Sequence, residues 1–238
     1  MTGKPNEIST TEDFEFAALQ KAVKYRAALV REFSPYLKGN VIEIGAGVGQ
    51  LTRALAALPS IQRLVSVEPE QRFCRMFKVL MPNHALVEGT IDELPPGDEW
   101  DTVVSINVLE HIYEDAAELA KYRQRLAKRR GHICLFVPAR PEIYARIDRD
   151  FGHYRRYTRP QLRQALETAG FSIVRLNYFN WIGYFAWWFN FCVLKKRHFA
   201  IGSVALFDRV IFPISHAFEC RVVRPPFGQS LLAVAQAK

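Results

Sequence analysis

The feature of this sequence that most constrains its fold is a short apolar run followed at once by three closely spaced glycines. Residues 41–44 form a strand-like run rich in β-branched side chains, and Gly45, Gly47 and Gly49 follow it. A strand that ends in such a loop brings its backbone close to a ligand, because side chains at the glycine positions would block the approach. The dinucleotide fingerprint needs its third glycine three residues after the second. The tighter spacing here favours a ligand without a pyrophosphate.

The rest of the chain alternates strand-like and helix-like segments, which predicts an α/β fold. Strand-like runs occur at residues 41–44, 64–67, 85–87, 101–106, 133–137, 171–176 and 230–235. Helix starts are indicated by capping-box spacing at Thr158 and Gln161, and by Asp115 and Glu118 as N-cap and N3 residues. Together these patterns predict a doubly wound, mostly parallel seven-stranded sheet with helices on both faces.

The sequence predicts one domain, 1–238, with four parts. They are an N-terminal helical cap at 1–39, a ligand-binding core at 40–178, an aromatic-rich insertion at 179–228 and a final strand at 229–238. Thr10 and Asp13 have capping-box spacing and mark the predicted start of the cap helix. The insertion lies where a short hairpin would suffice, so it is expected to be a lid or surface element.

Composition indicates a globular chain in a reducing compartment. The 238 residues are 49% hydrophobic and 24% charged, which excludes a disordered chain. The four cysteines lie far apart, so no zinc-knuckle spacing exists, no metal is expected, and a cytoplasmic location is the simplest interpretation. The polar first residues do not resemble a signal peptide. No apolar run reaches the roughly 20 residues that a membrane span needs.

The net charge of +8 is open to two interpretations. A basic surface can attract an acidic partner, such as nucleic acid or anionic lipid headgroups. The alternative is a solvated basic surface without a partner.

Two acidic residues accompany the glycine loop. Glu68 ends the second predicted strand, where a carboxylate can accept hydrogen bonds from both hydroxyls of a ribose. The structural alternative for Glu68 is a charge at a helix N-terminus. Glu43 lies within the first strand, and either hydrogen bonding to loop amides or direct ligand contact would explain it.

Four motifs in this order resemble those of the class I S-adenosylmethionine-dependent methyltransferases. Residues 41–52 resemble the family's first motif, and residues 65–69 resemble its second-strand motif. Residues 88–95 resemble the loop that holds the adenine, and residues 101–112 are similar to the fourth-strand motif. The resemblance covers roughly residues 40–140 and implies S-adenosyl-L-methionine as the cofactor.

The resemblance also implies roles for individual residues toward that cofactor. The loop of Gly45, Gly47 and Gly49 would face the methionine part, and Glu68 would hold the ribose hydroxyls. Thr90 and Ile91 would flank the adenine, Asp92 would reach its amino group, and the backbone near Asn107 would contact the methionine amino group. Many family members carry an acid or polar residue where Thr90 stands, which leaves backbone contact to the adenine as an alternative.

Candidate catalytic and acceptor-binding residues lie near the ends of the fourth and fifth strands. Methyl transfer needs a general base only for an acceptor such as a hydroxyl or protonated amine. His111, His153 and Tyr154 are the catalytic candidates, and Arg155 and Arg156 are acceptor-binding candidates. The alternatives are a packing histidine at 111 and a structural arginine cluster in the 151–157 loop.

Tyr25 and the aromatic insertion complete the candidate acceptor site. Tyr25 could close over the cofactor, or it could belong to a solvated helix face. Trp187 and Trp188 lie in an aromatic run, 181–194, that a basic run follows. Residues 181–197 could line an apolar pocket or contact a membrane surface peripherally. A packed lid core or a dimer surface would explain the same residues.

The predicted function is methyl transfer from S-adenosylmethionine to the oxygen, nitrogen or carbon of a small-molecule or lipid-like metabolite. A protein or nucleic-acid methyltransferase is the alternative, as is a non-catalytic scaffold that binds the cofactor. Nucleic acid is not expected as a partner, because the fourth-strand motif reads Asn107-Val108-Leu109-Glu110 and lacks the run used in base-amino methylation. The sequence leaves the oligomeric state open.

Overall fold

A computed structural model describes residues 21–197, 201–221 and 225–238. The predicted capping signal at Thr10 and Asp13 lies outside the described residues. Helix α1 spans Val23–Phe33. Within the described residues, no helix is both long and apolar enough to cross a membrane.

All seven predicted strands are present and form a single sheet. Their bounds are β1 Gly39–Ile44, β2 Ile61–Glu68, β3 Ala85–Glu88, β4 Thr102–Ile106, β5 His132–Pro138, β6 Phe171–Phe179 and β7 Ser230–Ala237. The order is β3-β2-β1-β4-β5-β7-β6. Strands β1 to β5 pair in parallel, which places their carboxyl ends at one edge of the sheet.

The prediction of a mostly parallel sheet is corrected: the sheet is mixed. Strand β7 lies between β5 and β6 and runs antiparallel to both. Strands β6 and β7 therefore form a hairpin whose connection is the long insertion. The insertion leaves and rejoins the sheet at the same end, where Phe179 pairs with Ser230.

The two faces of the sheet bury alternate residues of the same strands. Ile42, Val103 and Leu135 pack on one face against the helices Asp115–Leu126 and Arg159–Thr168. Val41, Val104 and Phe136 pack on the other face against α1 and the helix Gln50–Ala56. The remaining helices are α2 Gln50–Ala56, α3 Gln71–Leu80, α4 Asp115–Leu126, α5 Arg146–Asp150 and α6 Arg159–Thr168. This alternation explains the continuous apolar runs of the central strands.

One predicted helix start is confirmed and the other is corrected. Thr158 accepts a hydrogen bond from the Gln161 backbone N–H at 3.3 Å, so the capping box at the start of α6 is present. Asp115 is not the N-cap of α4 but its first residue, and the N-cap Glu114 makes no side-chain cap. The Asp115 carboxylate instead accepts a hydrogen bond from the Tyr157 hydroxyl at 2.7 Å. The Asp115 carboxylate therefore makes a tertiary hydrogen bond with Tyr157 instead of capping the start of α4.

The described residues of the insertion are mostly helical, and Asp208 joins them to α1. It comprises α7 Trp181–Trp187, a π-helix Trp188–Val193, α8 Ile201–Leu206, a π-helix Phe207–Ile211 and α9 Phe212–Arg221. The buried carboxylate of Asp208 accepts hydrogen bonds from the backbone N–H groups of Lys24 at 3.0 Å and Tyr25 at 2.8 Å. These bonds satisfy donors at the open start of α1 and fix the insertion over that helix.

Candidate functional site

Two cavities lie side by side at the carboxyl ends of the parallel strands. The first, which we call the glycine-loop cavity, has a volume of about 610 Å³ and is lined by the 45–48 loop, Glu68 and Thr90. The second, the insertion cavity, has a volume of about 430 Å³ and is lined by Phe136 of β5 and Trp187 of α7. In open α/β sheets, ligands bind at this edge.

The glycine loop follows β1 with a backbone that only glycine adopts easily. Gly45 and Gly49 have φ of +71° and +84°, in the left-handed region. A Cβ on Gly45 would lie 2.4 Å from Val108 Cγ2, and one on Gly49 would lie 2.6 Å from Met81 Cγ. The loop can therefore hold its course beside the cavity only without side chains at these positions.

The buried carboxylate of Glu68 holds this loop against the end of β2. Its Oε2 accepts a hydrogen bond from the Gly47 backbone N–H at 2.7 Å, and its Oε1 accepts one from the Glu70 N–H at 2.9 Å. Burial raises the pKa of Glu68, and the two backbone donors oppose that rise. Each carboxylate oxygen has further lone pairs, so Glu68 can still accept hydrogen bonds from a ligand in the cavity.

Glu43 is buried beneath the loop and does not line the cavity. Its Oε2 accepts hydrogen bonds from the hydroxyls of Thr52 at 2.6 Å and Ser66 at 2.7 Å. Its Oε1 has no hydrogen-bond partner among the described residues. Burial raises the pKa of Glu43 to about 7, against the two hydroxyl donors, and the charge of Glu68 raises it further. Glu43 thus connects β1, β2 and α2 below the loop.

The far wall of the glycine-loop cavity comes from the segments after β3 and β4. Thr90 and Ile91 line it, whereas the Asp92 carboxylate forms an ion pair with Lys121 and is not among the lining residues. Thr90 also caps the short 3₁₀ turn Ile91–Glu93. Asn107 has a φ of +53°, and its N–H donates to the Phe136 carbonyl at 2.9 Å. Asn107 lines both cavities.

The two cavities meet where they share lining residues. Tyr25, Asn107 and Phe151 line both, as does Ala22. Tyr25 stands between them on α1, and its ring packs 5.3 Å from that of Phe179 and 4.8 Å from that of Phe212. Burial raises the pKa of Tyr25, so its hydroxyl keeps its proton at neutral pH.

Two histidines stand next to this junction. The His111 and His153 rings lie 4.6 Å apart at 85° to each other. His111 lines the glycine-loop cavity, and His153 lines the insertion cavity. Burial, together with the neighbouring His153, lowers the pKa of His111 to about 4. His111 is therefore neutral at physiological pH.

Asp148, a fully buried carboxylate, orients His153 and Arg156. Its Oδ1 lies 3.1 Å from His153 Nδ1 and accepts a hydrogen bond from Arg156 Nε at 2.8 Å. Its Oδ2 accepts one from the Ala145 N–H at 2.8 Å. Although burial opposes ionisation, the His153 and Arg156 contacts lower the pKa of Asp148 below its usual value. The charged carboxylate fixes Nδ1 of His153 as the donor and leaves the buried Nε2 without a hydrogen-bond partner among the described residues.

The acceptor-site candidates from the sequence divide into two sets. Tyr25, His153, Arg156 and Trp187 line the insertion cavity, and the Arg156 guanidinium carbon lies 4.4 Å from the Trp187 ring centroid. Tyr154, Arg155 and Trp188 are not among the lining residues. The Tyr154 ring packs on Tyr113, the Arg155 guanidinium pairs with Asp115 at 2.8 Å, and Trp188 is exposed on the outer side of the insertion.

Sequence reasoning missed several residues that the fold brings to the insertion cavity or beside it. Glu110 and Asn180 line this cavity, and Asp148 supports it from behind. Asn180 has a φ of +62°, and its side chain accepts from the Gly183 N–H at 3.0 Å at the start of α7. The signal in the sequence for Glu110 is its position next to His111, in the short turn that follows the fourth strand.

Comparisons with known proteins agree with this geometry. A family model described as a methyltransferase domain matches residues 16–176, about two thirds of the chain. A protein named as an uncharacterized methyltransferase from Bacillus mycoides is 26% identical over 174 residues, covering 60% of this chain and 76% of that protein.

Two solved structures share the fold. An S-adenosylmethionine-dependent methyltransferase from Archaeoglobus fulgidus superposes with a TM-score of 0.60 at 17% identity, covering 94% of this chain and 96% of that one. Magnesium protoporphyrin IX methyltransferase from Synechocystis, solved with bound S-adenosylhomocysteine, gives a TM-score of 0.55 at 15% identity, covering 100% of this chain and 90% of that one.

The raised pKa of Glu43 predicts that the free energy of unfolding falls as pH rises, and that the Glu43→Gln variant lacks this dependence. The unfolded chain releases this proton near pH 4.5, and the folded chain releases it near pH 7. Between these values the folded state binds more protons, so the free energy of unfolding falls as pH rises. Relative to Glu43→Gln, the wild type should lose about 3 kcal/mol between pH 4 and pH 8.

Urea unfolding of both proteins at matched ionic strength measures this difference. The amide can still accept from Thr52 and Ser66, so the variant should fold. A stability difference that stays constant from pH 4 to pH 8 would show that Glu43 does not carry a raised pKa.

Proposed function

The chain belongs to the S-adenosylmethionine-dependent methyltransferases, and we propose that it methylates a small, largely apolar or lipid-like acceptor bound in the insertion cavity. The observation that carries this proposal is the junction of the two cavities at Tyr25, Asn107 and Phe151. In-line transfer requires the donor sulfonium and the acceptor atom to meet across a short, dry gap. Two cavities with a common boundary supply such a gap.

The glycine-loop cavity fits the donor. The 45–48 loop offers a backbone cradle that a Cβ would obstruct, and Glu68 offers carboxylate lone pairs where ribose hydroxyls would lie. Thr90 and Ile91 would flank the adenine, with Asp92 held outside by Lys121. The bound cofactor supplies an activated methyl group on a cationic sulfur. Asn107, at the junction, would orient the methionine end.

The insertion cavity fits an acceptor with an apolar body and a polar group. Its lining is mostly apolar, with Phe136, Trp187, Phe207 and Ile211 among the contributing residues. Its polar lining residues include His153 and Arg156, and Asp148 holds both of them. A pocket of this composition and size is typical of small-molecule sites.

His153 is the better candidate for a general base. Its Nδ1 contacts the Asp148 carboxylate, which leaves the Nε2 lone pair for a proton from the acceptor. The lowered pKa of His111 makes that ring a poor base at neutral pH. Buried Arg156 would instead contact the acceptor from beside Trp187, by charge and by hydrogen bonding. Tyr154 and Arg155 lie outside the cavity and would act only by supporting its loop.

The outer surface of the insertion favours a lipid-like acceptor. Its exposed apolar side chains are Phe185, Trp188, Phe189, Val193, Leu194, Leu206, Val210, Ile211, Ile214 and Phe218. Leu206 and Ile211 also line the insertion cavity, so the cavity opens among these residues. An apolar mouth would let an acceptor enter from a membrane without crossing water.

Charge on the same segment is complementary to an anionic membrane. Both acids between residues 181 and 221, Asp208 and Glu219, are buried and accept hydrogen bonds from backbone N–H groups. The cations Lys195, Lys196 and Arg197 are exposed. Exposed aromatics beside cations are typical of peripheral membrane contact.

Glu68→Ala tests the donor site. The variant loses the ribose acceptor and the loop contact to Gly47, and each hydrogen bond to a charged group contributes about 1.5–3 kcal/mol. Affinity for S-adenosylmethionine and S-adenosylhomocysteine should therefore fall at least about tenfold, as measured by titration calorimetry. Glu88→Ala is the matched control, because Glu88 pairs in register with Glu68 at the end of β3 but does not line the cavity. Equal affinity in wild type and Glu68→Ala, with both folded, would reject the assignment.

Vesicles test the acceptor and the membrane contact together. Wild type should sediment with vesicles that contain phosphatidylglycerol, but not with phosphatidylcholine alone. Replacing Lys195, Lys196 and Arg197 by Gln should weaken that binding roughly 100-fold, since each surface cation contributes about 1 kcal/mol. With vesicles of total lipid extract and methyl-labelled cofactor, the label should enter the organic-soluble fraction.

The matched control replaces another exposed cationic run, Lys128, Arg129 and Arg130, by Gln. That variant should bind vesicles as wild type does. If both variants lost vesicle binding equally, that binding would depend on net charge alone and not on a contact made by residues 195–197. Label recovered in protein or RNA instead of lipid or small molecules would contradict the proposed acceptor.

A further inference from the structure

Glu110, His111 and His153 bring a carboxylate and two imidazoles together at the junction of the cavities. One oxygen or nitrogen from each side chain lies within 4.8 Å of the other two. In a tetrahedral site with bonds of about 2.1 Å, ligand atoms are about 3.4 Å apart. Closing the group around an ion therefore needs movements of at most about 1.4 Å. Among the residues that the structure describes, this is the single group of three metal-binding side chains so arranged.

The backbone holds these three residues in register. Glu110 and His111 belong to the 3₁₀ turn Leu109–His111 that follows β4. The Tyr154 N–H donates to the Glu110 carbonyl at 2.8 Å, which joins the turn to the loop that carries His153. The two imidazole rings consequently stand 4.6 Å apart and nearly perpendicular. Little backbone ordering would be required when an ion binds.

His153 has the second-sphere contact that metal-bound histidines usually have. Its Nδ1 lies 3.1 Å from Asp148 Oδ1, and Asp148 is itself held by Arg156 and by the Ala145 N–H. This contact fixes the tautomer that leaves a lone pair on Nε2. The His153 residue is only 9% exposed, and its Nε2 has no hydrogen-bond partner among the described residues. This ring nitrogen has a lone pair without a hydrogen-bond partner, which is what binding to a metal ion requires.

We propose that Glu110, His111 and His153 bind a divalent transition-metal ion, for which Zn²⁺ is the natural choice. Two histidines and one glutamate are a donor set of catalytic zinc sites, in which a fourth position stays open. Glu110 and His153 line the insertion cavity, and His111 lines the glycine-loop cavity. The open position would thus face the junction.

This site would change the role of His153 and define the acceptor more closely. With an ion bound, His153 is a ligand and no longer a base. A methyl acceptor that carries a hydroxyl group would bind the ion through its oxygen. The ion would fix the position of that oxygen and lower the pKa of the hydroxyl. This role for the acceptor rests on the proposed function, whereas binding of the ion does not. The proposed metal site differs from the expectation, drawn from the sequence, of a protein without a metal.

Metal titration of the untagged, chelator-treated full chain tests the proposal without any assay of methyl transfer. Co²⁺ absorption and Zn²⁺ calorimetry should both show one tight site without the near-ultraviolet band of a thiolate ligand. Glu110→Gln and His111→Gln each remove one ligand and should weaken binding more than about 100-fold. Asp148→Asn removes only the second-sphere contact and should weaken it about 10- to 100-fold. His84→Gln, a histidine that lines neither cavity, is the control and should bind as wild type does.

Three results would overturn the proposal: no saturable binding, a thiolate band, or equal affinity in wild type and the folded Glu110→Gln and His111→Gln variants. Titration of S-adenosylhomocysteine into the same samples keeps this test separate from the proposed function. A chain that binds the cofactor but no metal would leave the methyltransferase proposal standing, with His153 as its base.

Discussion

The Glu68 carboxylate makes the interaction on which the glycine-loop cavity depends. It joins the end of β2 to the glycine loop after β1 through the Gly47 N–H, and it holds the following turn through the Glu70 N–H. The Val67 carbonyl accepts hydrogen bonds from the N–H groups of Gly45 and Ala46 at the start of the loop, and Glu68 accepts one from Gly47 in its middle. The end of β2 therefore fixes the course of a loop that has three residues of positive φ. Glu43 supports the same loop from below through Thr52 and Ser66. A stack of two buried acids thus shapes one cavity wall.

Asp148 has the corresponding role beside the insertion cavity. Its buried charge is balanced by Arg156 and His153, and it sets the orientation of both. Because Arg156 stacks on Trp187, the same carboxylate also positions the first helix of the insertion. The insertion is held a second time by Asp208 at the start of α1. Two buried carboxylates, Asp148 and Asp208, therefore hold the insertion at separate points.

The sequence allowed prediction of the elements whose signals are local. The seven strands, the glycine loop and the Thr158 cap follow from patterns of a few residues, and all are present. The antiparallel placement of β7 was not predicted, because pairing across the 179–228 insertion has no local signature. The same limit applies to the side chains. Adjacent Trp187 and Trp188 look equivalent in the sequence, yet helix geometry buries the first and exposes the second.

Long-range charge pairing explains the other differences. Arg155 and Arg156 are neighbours in a basic loop, but Asp115 draws the first outward and Asp148 draws the second inward. Asp92 lies within the predicted adenine loop, yet Lys121 of α4 pairs with it outside the cavity. Glu110 was not predicted as a site residue, because its place in the site follows from its proximity to His153, which is distant in sequence and adjacent in the fold.

A crystal structure with S-adenosylhomocysteine tests the central claim, that donor and acceptor meet at the boundary of two cavities. We expect the ribose to lie on Glu68 and the sulfur to lie beside Asn107 and Tyr25, facing the insertion cavity. A ligand bound within the insertion cavity, or a sulfur turned away from the shared boundary, would contradict it.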